Sequence, residues 1–171
     1  MYRIDNKRHF TNYIMKKLLL TGLAFCCILI AACKKENKNV AAELFIGAMK
    51  SGSNWAGKPV AGYIPGTDTL QVQGFQASGE ENLYFKLKFS KEGTYSLSLP
   101  AQAGFYTTVG MDAITSNYKL DTTLTNTVTI RNYNIYTNIA NGTFQLNFVK
   151  TDGTASKLSF TGGQFCIYVQ H

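Results

Sequence analysis

The side chains that most often carry catalysis are scarce in this chain. Beyond residue 32 there is one histidine, His171, and there are two cysteines, Cys33 and Cys166. A nucleophile needs a base within hydrogen-bond reach, and a zinc site needs several converging His, Cys or carboxylate ligands. A single histidine at a chain end supplies neither. Cys166 alternates with Phe165 and Ile167 in an apolar run, so it reads as a buried, inert thiol. The carboxylates from Glu43 onward are Glu43, Asp68, Glu80, Glu81, Glu92, Asp112, Asp121 and Asp152. Glycoside hydrolysis would require two of them to face each other across a sugar. Most sit in turn-like sequence, where solubility and Asx chemistry already place acids. No D-x-D-x-D-G calcium loop occurs. The expectation is a protein with no catalytic set, no metal and no cofactor: not an enzyme.

Two softer patterns point to ligands and modification. Asn132-Tyr133-Asn134-Ile135-Tyr136-Thr137-Asn138 mixes aromatic rings with amides, the chemistry of a sugar-binding face. On one strand Tyr133 and Ile135 would share a face, and Asn132, Asn134, Tyr136 and Asn138 the other. The bland alternative is a half-buried edge strand followed by an amide-rich loop. Trp55, the only tryptophan, reads as a core plug or as a ligand platform. The candidate ligand face is therefore Trp55, Tyr133, Asn134, Tyr136 and Asn138. Asp68-Thr69-Leu70 and Asp121-Thr122-Thr123 resemble the Asp-Ser/Thr-aliphatic sequon of Bacteroidota O-glycosylation, which would modify Thr69 and Thr122.

Cys33 has a different context. Lys16-Lys17 precede a 15-residue apolar run, Leu18 to Ala32, which ends Ile30-Ala31-Ala32-Cys33 and is followed by Lys34-Lys35-Glu36. The run suits a signal-peptide helix and is shorter than the ~20 residues that span a bilayer. Small residues before a cysteine resemble the lipobox of bacterial lipoproteins. That resemblance implies cleavage between Ala32 and Cys33 and acylation of Cys33. Several acyl chains, at about 0.8 kcal/mol per buried CH₂, anchor stably where one does not. The division expected is an upstream extension over 1–14, a signal peptide over 15–32 with Met15 as a second possible start, a lipidated flexible tether over 33–42, and a β domain over 43–171. As a coil, residues 34–42 reach roughly 15–18 Å.

The high pI belongs largely to this leader. Residues 33–171 carry 12 basic and 9 acidic residues, and from Val40 onward the excess is a single positive charge. No cluster of Lys and Arg marks a nucleic-acid footprint. With Cys166 alone in the domain, no internal disulfide can form, so the 129 residues from Glu43 must be held by their core.

Period-two alternation runs from Leu44 to Val169 without a sustained helical stretch, and predicts eleven short strands. The last two, Ser156–Phe160 and Gln164–Gln170, are separated by a turn at Thr161-Gly162-Gly163. Other turns fall at Gly66-Thr67-Asp68, Ser78-Gly79-Glu80, Lys91-Glu92-Gly93 and Thr151-Asp152-Gly153. The fold class expected is all-β, an antiparallel β-sandwich, with a small closed barrel as the alternative. Gly93-Thr94-Tyr95, Gly142-Thr143-Phe144 and Gly163-Gln164-Phe165 repeat one theme: glycine, a polar residue, then a core aromatic.

These pieces occur in a particular order: Ser53-Asn54-Trp55, Leu70-Gln71-Val72-Gln73-Gly74, Gly93-Thr94-Tyr95, Thr129-Ile130-Arg131-Asn132-Tyr133, Asn141-Gly142-Thr143-Phe144 and Phe160-Thr161-Gly162-Gly163-Gln164-Phe165. The layout resembles a family of small Bacteroidota lipoproteins whose domain has no assigned function. The resemblance covers most of residues 44–169. It implies an antiparallel β domain and an outer-membrane address, and it brings no catalytic residues. The function expected is a membrane-anchored, non-catalytic binding or interaction module of the cell envelope. Its partners would be membrane lipid through Cys33, and a glycan or an envelope protein, with no nucleic acid. A glycan-active enzyme with paired carboxylates and a purely structural lipoprotein are the alternatives.

Overall fold

A computed structural model describes residues 42–171. The extension, the signal peptide with Ala32, the lipidation site Cys33 and all but the last residue of the tether lie outside the described residues. Ten strands follow in chain order: β1 Phe45–Lys50, β2 Ser53–Tyr63, β3 Thr69–Gln76, β4 Glu81–Lys88, β5 Gly93–Ser96, β6 Ala103–Val109, β7 Ala113–Leu120, β8 Thr127–Asn134, β9 Ile139–Lys150 and β10 Lys157–Gln170. They form one sheet in the order β1-β10-β2-β3-β4-β6-β7-β9-β8-β5, with further pairing of β1 to β2 and of β10 to β9. The pairings return on themselves through β9 and β10. The fold is all-β and sandwich-like rather than a barrel.

One seam departs from the antiparallel expectation. β1 runs antiparallel to both β10 and β2, so those two strands run parallel to each other. Where β1 gives out at Phe45, β2 takes its place beside β10, and Val169 and Ala61, then Gln170 and Gly62, pair in parallel. Pro59 stands where β2 changes neighbours, the position at which a missing N–H costs the ladder least. Hence β2 continues through a proline, a residue that a central strand ordinarily excludes.

Two other expectations need correction. The glycine pair at Thr161-Gly162-Gly163 is not a turn. It is a bulge inside the single strand β10, with Gly162 at φ 59° and the register to β9 shifting between Phe160 and Gly163. The run from Tyr133 to Asn138 is not one strand either. β8 stops at Asn134 and residues 135–138 turn, so the two-face alternation does not extend past Asn134.

The core forms from alternate residues of every long strand. Phe85, Phe144 and Phe165 make one aromatic cluster, with Phe85 ring centroids 5.6 and 5.9 Å from the other two. Phe160 makes a second cluster with Trp55, Phe105 and Phe148 at 5.3, 5.4 and 5.8 Å. The first cluster depends on glycine. In the β9–β10 register Gly142 faces Phe165 and Gly163 faces Phe144, so each ring lies over the glycine opposite. A Cβ at Gly142 would stand 2.0 Å from the Thr129 carbonyl oxygen and 2.7 Å from Phe165 Cζ, and one at Gly163 would stand 2.6 Å from the Phe144 ring. Two copies of the glycine–aromatic theme are thus reciprocal close approaches, whereas a Cβ at Gly93, in the third, would meet open space.

A polar knot closes the β7–β8 loop. The buried Asn126 donates to the carbonyls of Asp121 and Leu124 at 2.8 and 2.9 Å, and accepts the Asn147 N–H at 2.7 Å. Asp121 is buried as well. Its carboxylate accepts the Thr123 hydroxyl and N–H on one oxygen and the Lys157 ammonium on the other at 3.1 Å. Those hydrogen bonds, Thr123 first, hold its pKa below the usual carboxylate range. At the rim of the β9–β10 hairpin, Lys150 and Thr154 hold Asp152 at about 2.

Two tests follow from the fold. Gly142→Ala should lower stability by about 1–3 kcal/mol in urea titration, because the clashing Thr129 oxygen is backbone and cannot swing away; a change near zero would show that β8 and β9 separate freely. Since the folded Asp121 titrates below an unfolded aspartate (about 3.9), its stabilisation is present above that pH and is lost as pH falls through its folded pKa. Asp121→Asn should therefore flatten the acid limb of the stability curve; an unchanged limb would remove Asp121 as its source.

Candidate functional site

Three strand ends bring aromatic residues to one end of the sandwich. Tyr63 closes β2, Phe89 follows β4, and Tyr133 is the second-last residue of β8. With Ser90, Lys91, Glu92 and Ile135 they line an open cleft of about 510 Å³. That size lies within the ordinary range for small-molecule and oligosaccharide sites, about 300–1,000 Å³. The Phe89 and Tyr133 rings meet edge to face at 5.2 Å, and His171 stacks on Tyr63 at 5.5 Å with 28° between planes.

The polar groups around these rings are held in place. The Tyr133 N–H donates to Glu92 Oε1 at 2.8 Å, fixing the carboxylate at the cleft wall. The Tyr133 hydroxyl lies 3.3 Å from His171 Nε2 and 3.4 Å from Asn138 Oδ1, and His171 Nε2 is 3.3 Å from the same amide oxygen. Behind the cleft, the Tyr95 hydroxyl donates to the Lys91 carbonyl and accepts the N–H groups of Ser90 and Lys91. That tie shapes the 89–92 turn, whose first residue is joined to the β2–β3 turn by Phe89 N–H to the Asp68 carbonyl at 3.1 Å. Burial first, then the neighbouring Tyr133 and Tyr95 hydroxyls, push the Tyr63 phenol above its ordinary 10.0.

The residues singled out in the sequence divide. Tyr133 lines the cleft, and Asn138 sits behind it in a left-handed backbone conformation, φ 54°, its carbonyl accepting the Val169 N–H. Asn134 is committed elsewhere: its side-chain oxygen accepts the N–H groups of Tyr136 and Thr137 and builds the turn. Tyr136 is 91% exposed and does not line the cleft. Trp55 is corrected outright as a ligand platform. It is 3% exposed in the core, edge-on to Phe160, with its ring against Gly74. It stands eight residues along β2 from Tyr63, roughly 26 Å of extended strand. Of the two sequon threonines, Thr122 is exposed, whereas Thr69 is half-buried at the start of β3, with Leu70 of its sequon fully inside.

Tyr63, Phe89 and Lys91 carry no functional signal in the sequence, and Glu92 and His171 are weighed there only as catalytic groups. These residues come from three distant stretches of chain, at 63, 89–92 and 171, and only the register brings them to one end. The signal that could have found them is positional: each lies at a strand end or in the turn just beyond it. Among the described residues, no group of three or more His, Cys, Asp or Glu side chains is placed to hold a metal ion. Glu92 is the one carboxylate among the cleft-lining residues. No protein-family model matches the chain, and no curated protein or solved structure matches it.

The Tyr63 environment has a direct readout. In an alkaline ultraviolet titration, Tyr63→Phe should remove one of the phenols that ionise above 10.0. Loss of a phenol ionising at or below that value would contradict the packing of Tyr63 beneath His171.

Proposed function

We propose that the chain is a lipid-anchored envelope lipoprotein whose β domain binds a glycan, without catalysis, in the cleft lined by Tyr63, Phe89 and Tyr133. The observation that carries the reading is the composition of that cleft. Flat aromatic rings offer faces to the apolar C–H surface of a sugar. A fixed carboxylate on Glu92, the Lys91 ammonium and the Ser90 hydroxyl supply hydrogen-bonding partners for sugar hydroxyls at its edge. A single carboxylate can position a sugar, whereas glycoside hydrolysis in its usual form needs an opposed pair. The envelope address rests on the resemblance of Ile30-Ala31-Ala32-Cys33 to a lipobox and on the order of motifs shared with Bacteroidota lipoproteins.

Glycan arrays probed with the intact lipoprotein should identify a binder. Against that binder, Tyr63→Ala and Tyr133→Ala should each weaken affinity about tenfold or more, the effect of removing a central aromatic contact. Tyr136→Ala, outside the cleft, should leave it unchanged. Equal losses in all three variants, or none, would count against the cleft. Cys33→Ala should abolish lipid labelling and membrane retention while the β domain stays folded; persistent membrane partitioning would end the lipoprotein reading.

A further inference from the structure

The outer surface of the β1–β10–β2 seam carries an apolar cluster that the core does not use. In the register, Phe45 of β1 faces Cys166 of β10, and both side chains point away from the core. Two residues along β10, Tyr168 faces Ile139 of β9 on the same outer side. The parallel seam sets Val60 of β2 beside Tyr168, because Ala61 and Val169, one residue on, pair and point inward. Phe45, Val60 and Tyr168 are 43%, 45% and 46% exposed, and Leu44, next to Phe45, is 41% exposed.

The charges around this cluster are one-sided. β9, β10, β1, β2 and β3 are consecutive neighbours and contain no aspartate or glutamate. The basic residues they do contain are Lys50, Lys58, Lys150 and Lys157, and all but Lys58 pair with carboxylates lying outside these strands. Lys58 is exposed one position from Pro59 on the same outer side as Val60. In sequence, the acid next to the cluster is the exposed Glu43, one residue before Leu44.

The cluster also lies where the chain enters the domain. Phe45 opens β1 with Leu44 just before it, and ten residues, 34–43, separate Leu44 from Cys33. Those residues include Lys34, Lys35 and Lys38 against Glu36 and Glu43. We infer that this face rests on the lipid bilayer, with Phe45, Val60 and Tyr168 at the headgroup boundary and Lys58 toward anionic lipid. The inference rests on the lipid-anchor reading. An aromatic surface on strands that carry no carboxylate, close in sequence to the anchor, suits an interfacial contact: apolar burial adds to attraction by acidic headgroups.

The protein carries its own reporter. Once the leader is removed and Cys33 acylated, Cys166 is the one free thiol. The lipidated protein, labelled at Cys166 with a small fluorophore, is reconstituted in vesicles of phosphatidylcholine and phosphatidylglycerol holding a headgroup-depth spin-labelled lipid. Mass spectrometry establishes the lipid on Cys33 in the same sample. Quenching at Cys166 should exceed by about threefold that of a label at Lys86→Cys, on β4, three strands from β10 through β2 and β3 and four through β9, β7 and β6, in a Cys166→Ser background, as befits a group within ~10 Å of the interface. The double variant Val60→Glu/Tyr168→Glu should reduce the Cys166 signal to that of the β4 label. Equal quenching at the two sites with the lipid present overturns the bilayer contact and leaves the anchor standing. A protein found without lipid removes both. In the unlabelled protein, a Cys166–Cys166 disulfide formed when copper-phenanthroline is added as the oxidant, with no quenching in the labelled sample, assigns the face to a second copy of the chain and equally overturns the inference.

Discussion

The close approach of β9 and β10 sets the rest of the structure. Two phenylalanines cross between these strands in opposite directions, each over a glycine of its neighbour. The Phe144 and Phe165 centroids stand 6.5 Å apart in a nearly stacked pair, and both rings meet Phe85 from the opposite layer. Any side chain at either glycine would push a ring into the core or a strand off its ladder. The bulge at Thr161-Gly162 preserves this arrangement. It absorbs the change of register below Gly163, so that Phe160 can still reach Trp55, Phe105 and Phe148 in the second aromatic cluster. One strand pair thereby organises both halves of the core.

The cleft is a by-product of the same layout. Strands that alternate inward and outward over the core must end somewhere, and at one end of the sandwich the last inward positions are Tyr63, Phe89, Tyr133 and His171. With no further layer to cover them, their rings pack against each other and leave faces open. The other end is closed differently: Lys50 pairs with Glu81 and lies 5.4 Å above the Phe105 ring, so a charged pair caps the aromatic interior. The two ends of the sandwich therefore differ, one capped by a charged pair and the other left open with its aromatic rings.

Much of the fold was legible in the residues. Period-two alternation located most strands to within about three positions, but it began β2 at Val60 instead of Ser53 and divided β10 in two; Asp152-Gly153 marked the β9–β10 hairpin. The failures share a physical cause. A glycine pair within a strand and a glycine pair in a turn have the same local preferences, and only the partner strand decides between them, as at Gly162-Gly163. Trp55 and Tyr133 were equally plausible as ligand contacts because aromatic residues serve cores and surfaces alike; register places the first inside and the second at a strand end. Asn134 looked like a ligand amide, yet its oxygen satisfies two turn N–H groups. The cleft itself was illegible, since it depends on the ends of β2, β4, β8 and β10 meeting, which no local pattern encodes.

The two-residue parallel seam between β2 and β10 carries a kinetic consequence. β10 is the partner of β1, β2 and β9 at once, so residues near 45 and 60 must wait for residues near 165 before their ladder can close. Contacts of such long sequence separation demand loop closure before any stabilisation is gained, and domains dominated by them fold in milliseconds to seconds rather than microseconds. A growing chain that has not yet reached Lys157 can form the ladder that runs from β1 and β2 round to β5, but cannot close it between β2 and β9. This architecture therefore commits to its native state late, in a single step made by its final strand.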